Sequence, residues 1–82
     1  MNIEQAAIQI ADETMILDIQ SMCRRVKHPQ AEHGQDPWWD TSAADPVTDG
    51  QYIARAVNYL EARGRLVRHP RADNLIQILE AS

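Results

Sequence analysis

The sequence predicts a mainly α domain closed by a C-terminal β-hairpin, an α+β arrangement of three helices followed by two strands. Apolar residues recur at spacings of three and four over about 3–27, and a second such row over about 49–63 ends at Gly64. Two short strand-like runs then flank a proline turn within about 65–79. At 82 residues the chain reads as a single domain, 1–82, near the lower limit of length for a self-sufficient core.

The first helix is expected over about 3–27, because Ile8, Ala11, Met15, Ile19, Met22 and Val26 keep helical spacing. Its acids, Glu4, Asp12, Glu13 and Asp18, precede Arg24, Arg25 and Lys27, the order a helix dipole favours, and Pro29 stops it. A second apolar row, Ile3, Ala7, Ile10 and Leu17, lies beside the first. It reads either as the margin of a broad core face or as the seam of a homodimer through the first helix.

Residues 28–45 are expected to hold a loop and a short helix, with Asp36 as N-cap and Pro37 at the first helical position of DPWWDTSAA, and Asp45-Pro46 as its end. The third helix, about 49–63, has a capping-box pair in Thr48 and Gln51, a buried row of Ile53, Val57 and Leu60, and Gly64 as its stop. Arg65–His69 and Leu75–Leu79 then read as hairpin strands around a five-residue tip, Pro70 to Asn74. RRVKHPQAE at 24–32 and RLVRHPRAD at 65–73 echo one another. The first copy ends a helix and the second begins a strand, so the echo is not read as a duplication.

Composition narrows the classes. The chain is 44% hydrophobic and 24% charged, too apolar for a disordered segment. A lone cysteine, Cys23, forms no intrachain disulfide, and neither a spanning apolar run nor a leader is seen, so a cytoplasmic protein without membrane contact is expected. Residues 1–41 carry seven acids against three bases and account for the net charge of −4. Arg63, Arg65, Arg68 and Arg71, by contrast, fall within nine residues free of acids, a local strip suited to phosphate.

The order of elements, and most specifically DGQYIARAVNYLEARGRLVRHPRADNLIQIL at 49–79, resembles the winged helix-turn-helix family. The resemblance implies a third helix in the major groove and a hairpin wing on the backbone. Carried over by position, Gln51, Arg55 and Asn58 would read base edges, and Arg65, Arg68, His69 and Arg71 would contact phosphates.

Other residues are candidates for chemistry. Cys23, His28 and His33 stand at C-x4-H-x4-H, with Asp36 or Asp40 as a fourth ligand for zinc, yet no C-x2-C accompanies them and no metal site is expected. No nucleophile elbow or glycine-rich phosphate loop occurs, Asp12, Glu13 and Asp40 read as solvated helix charges, and neither catalysis nor a cofactor is expected. Trp38-Trp39 stands out in a chain with no phenylalanine: one indole should lid the core, and the other is a candidate interface anchor. Two functions follow. The first is a DNA-binding regulator or accessory factor. The second is a protein-binding adaptor or inhibitor, of the kind mobile elements carry, that uses Trp38, Trp39 and the acidic first helix, with Ile10 and Leu17 as dimer contacts.

Overall fold

A computed structural model describes residues 2–26 and 37–79. Helix α1 (Ile3–Met22) is followed by strands β1 (Arg24–Val26) and β2 (Trp38–Asp40), a single 3-10 turn (Thr41–Ala43), helix α2 (Gly50–Ala62) and strands β3 (Leu66–His69) and β4 (Ala72–Ile78). The strands form one antiparallel sheet in the order β1-β2-β4-β3. Two α-helices and a four-stranded sheet therefore replace the expected three helices and two-stranded wing. The winged-helix arrangement is corrected with them.

Helix α1 opens on a capping box: the Gln5 N–H donates to Asn2 Oδ1 at 2.7 Å, and the Asn2 N–H donates to Gln5 Oε1 at 3.3 Å. The helix ends at Met22, five residues before the boundary of about 27 predicted from spacing, and the backbone of Cys23 beyond it is extended. Pairing explains the early stop. Arg24, Arg25 and Val26 lie opposite Asp40, Trp39 and Trp38, so residues with helical spacing spend their backbone bonds on a neighbouring strand instead.

The segment expected to be a short helix is a strand for the same reason. Trp39 lies opposite Ile76 and Asp40 opposite Leu75, which makes β2 an interior strand where large aromatic residues pack well. The helical tendency survives as one 3-10 turn, and its N-cap is Asp40, which accepts the Ser42 N–H at 2.9 Å. Asp36, the predicted cap, lies outside the described residues.

Helix α2 buries Ile53, Ala56, Val57 and Leu60. Its N-cap is Asp49, with no side-chain bond, so the expected Thr48–Gln51 capping box does not form. Asp45 instead organises the preceding turn, its carboxylate accepting the Val47 N–H at 2.9 Å and its carbonyl the Gly50 N–H at 2.9 Å. At the other end Gly64 takes φ 74°, the Gly64 N–H donates to the Glu61 carbonyl and the Arg65 N–H to the Leu60 carbonyl, a Schellman stop. The β3–β4 turn is tighter than predicted. Only Pro70 and Arg71 separate the strands, and a bulge at Arg68/His69 absorbs the mismatch.

Both helices cover one face of the sheet. Ile16 and Ile19 of α1, the buried row of α2, Leu66 and Ile76 form a single cluster, against which Trp39 and Ile78 pack. Alternation puts Trp38 on the other face, where it is buried and meets His69 edge-on with ring centroids 4.9 Å apart.

Candidate functional site

Helix α1 has two apolar faces, and only one is used. Inward, Asp12, Ile16 and Ile19 are buried. Outward, Ile3, Ile10 and Leu17 are 88%, 67% and 65% exposed. Ile10 and Leu17 of this row line a shallow groove of about 410 Å³ with Ala6, Gln9, Glu13 and Thr14. Two hydroxyls beside it are satisfied within the helix: Thr14 Oγ1 donates to the Ile10 carbonyl at 2.8 Å, and Ser21 Oγ to the Asp18 carbonyl at 3.0 Å. The face therefore offers aliphatic carbon and internally bonded hydroxyls, edged by the Gln9 amide and the Glu13 carboxylate.

The edge of this face is tied to the rest of the molecule by ions. Asp12 is 1% exposed, and its Oδ2 accepts from Arg63 Nε at 2.8 Å and lies 3.8 Å from Arg65 Nη1. Arg65 also donates through Nη2 to Glu13 Oε1 at 2.7 Å and through Nε to the Leu79 carbonyl at 3.2 Å. Asp12 Oδ1 has no hydrogen-bond partner among the described residues. A buried carboxylate needs such cations to offset its lost hydration. The expectation that Asp12 is solvated is thus corrected, while Glu13 stays half exposed; through Arg63 and Arg65 the two tie α1 to the α2–β3 connection.

The basic residues picked out in the sequence are not gathered into one outward strip. Arg65 is engaged with α1 and its side chain is 11% exposed. Arg68 donates to Glu61 and to Asn58 on α2, which brings two of the proposed nucleic-acid contacts together but points them at each other. His69 accepts the Arg71 N–H on Nδ1 at 3.0 Å and packs on Trp38. Gln51, Arg55 and Arg71 are exposed. Of the tryptophans, Trp38 is 8% exposed and Trp39 packs against the core, so neither stands out as an anchor.

Asp40 is likewise a structural group. It accepts from Ser42 Oγ, the Ser42 N–H and Asn74 Nδ2, and Arg24 lies 3.8 Å away. The Ser42 and Asn74 bonds hold its carboxyl below the ordinary value. Cys23 is buried, and burial, followed by the Asp40 charge, pushes its thiol up to about 11. His28, His33 and Asp36 of the weighed zinc set lie outside the described residues. Among the described residues no three His, Cys, Asp or Glu side chains converge as metal ligands, and no helix is long and apolar enough to cross a membrane.

Two functional signals escaped the sequence reading. Ile16, which belongs to the core, was placed in neither apolar row. The spacing 12, 16, 19, 23 would have identified the inward face and isolated Asp12 on it as a buried acid awaiting arginine. No family model, curated protein or solved structure matches the chain.

Proposed function

We infer that the chain is a small non-catalytic protein-binding module whose contact surface is the outer face of α1. One observation carries this: three large aliphatic side chains, Ile3, Ile10 and Leu17, stand in water along a single helical row while the helix has a separate core face. A contiguous apolar strip of this kind marks an association surface. Of the protein-binding contacts expected from the sequence, the first helix is kept, and Trp38 and Trp39, one buried and one packed on the core, are not. DNA contact is supported less well, since Arg65 and Arg68 spend their donors on acids and an amide of the same chain and the net charge is −4.

The test is retention of protein from nuclease-treated host extract on the immobilised chain, compared with a chain carrying Ile10→Asp and Leu17→Asp. Protein should be held by the wild type at high salt and lost by the variant, because an apolar contact is weakly screened. Retention that vanishes with nuclease or moderate salt, or that the variant leaves intact, removes α1 as the contact surface.

A further inference from the structure

We propose that the outer face of α1 pairs with the same face of a second copy, antiparallel, about a two-fold axis through Ile10. This rests on the reading of α1 as a contact surface and names its occupant. The first argument is the symmetry of the row. Ile3, Ile10 and Leu17 are spaced by seven and centred on Ile10, so a perpendicular two-fold axis there sets position i of one copy against position 20 − i of the other. Ile10 meets Ile10, Ile3 meets Leu17, and Ala6 meets Thr14. An isologous contact requires a patch complementary to itself under such a rotation. Seven-residue spacing drifts by about 20° per repeat on a straight helix, which suits a shallow crossing of about 20°.

The second argument is polar satisfaction and charge. Thr14 and Ser21, beside the row, have already given their hydroxyl protons to backbone carbonyls of α1. A second helix can cover them without stranding a donor. Helix α1 carries acids and no base, which would ordinarily oppose self-pairing. Here Asp12 is buried against Arg63 and Arg65, and Glu13 is bound by Arg65. Asp18, which accepts from the Tyr52 hydroxyl, and Glu4 keep their charges but lie about 100° around the helix from Leu17 and Ile3, off the contact row. The acid that lines the contact face, Glu13, is therefore already paired with a cation of its own chain.

The third argument is area. An exposed aliphatic side chain removes roughly 100 Å² of apolar surface from water, so six of them supply roughly 600 Å². Flanking Ala6, Ala7 and Thr14 on both copies bring the contact towards about 1,000 Å², the low end for a specific interface. An interface at that end of the range suits a reversible dimer.

Two measurements on the purified full chain test this. Sedimentation from about 1 to about 500 µM should show a monomer–dimer equilibrium, and Ile10→Asp with Leu17→Asp should be monomeric throughout with unchanged helical circular dichroism. Direction is read by a short thiol cross-linker on chains bearing Ile3→Cys or Leu17→Cys, the buried Cys23 being shielded. Mixed chains should give chiefly the Ile3→Cys to Leu17→Cys product, and Ile10→Cys should link to itself. A wild type that stays monomeric at the highest concentration overturns the second copy as occupant, as does preferential linkage of like positions at 3 and 17. If that monomer still retains another protein through α1, the contact-surface reading stands alone; if it retains nothing, both fail.

Discussion

At position 12 a carboxylate occupies a place on α1 that helical spacing reserves for a core side chain. With 1% exposure, it is tolerated because Arg63 and Arg65 reach it from beyond the end of α2. Removing one side of a buried pair is costly when the charge left behind is the buried one. Asp12→Ala leaves Arg63 partly in water and Arg65 still on Glu13, whereas Arg63→Ala takes the 2.8 Å partner from a carboxylate that is 1% exposed. Arg63→Ala should therefore lower the unfolding free energy in urea titration by more than Asp12→Ala, and the reverse order would remove the network as the clamp on α1. Cys23 gives a pH signature. Its thiol is raised from 9.0 to about 11 by burial and then by the Asp40 charge, so the folded chain favours the neutral form. A raised folded value means that this stabilisation is complete below pH 9 and is lost as pH climbs through about 11. Wild-type thermal midpoints should therefore fall more steeply between those values than midpoints of Cys23→Ala. Parallel profiles would show that the thiol ionises freely in the fold.

Among the elements, α2 was the most legible and strands β1 and β2 the least, for a physical reason. The signals of α2 are local: Ile53, Val57 and Leu60 mark its buried row, and Gly64 marks its end within one turn. Strands β1 and β2 depend on each other and on Ile76 and Leu75, more than thirty residues away from Trp39 and Asp40. Neither RRV nor WWD alternates over a long enough run to announce a strand, and Val26 continued a helical spacing by chance. The same limit applies to the site. The outer row of α1 was readable as surplus apolar surface, whereas the destinations of Arg65 and Arg68 depended on which carboxylates the fold brought near. The Schellman stop allows a sharp test at this scale. A Cβ at Gly64 meets nothing within 4 Å, so Gly64→Ala isolates the backbone cost of φ 74° from any packing change. It should destabilise by about 1 kcal/mol with no change in the folded spectrum. A neutral result would mean that α2 can end without the left-handed residue.

For the whole molecule, the small core and the uncovered helix face are two sides of one constraint. The described core cluster draws on both helices and the sheet, yet α1 gives it only its inward face and leaves Ile3, Ile10 and Leu17 in water. In the proposed dimer the same row of a second copy covers it. Folding and pairing are then linked, because only the folded chain presents the row on one face. Where the dimer dominates, each tenfold rise in protein concentration favours it by about 1.4 kcal/mol, or about 0.7 kcal/mol per chain. With a urea dependence of about 1 kcal/mol per molar for a small domain, the unfolding midpoint should move up by roughly 0.7 molar per decade. The Ile10→Asp and Leu17→Asp chain should unfold at one midpoint across the same range, since its substitutions lie on the exposed face and leave Ile16 and Ile19 in place. A wild-type midpoint that does not move with concentration above the dissociation constant would separate the fold from the pairing and leave the row without an energetic role.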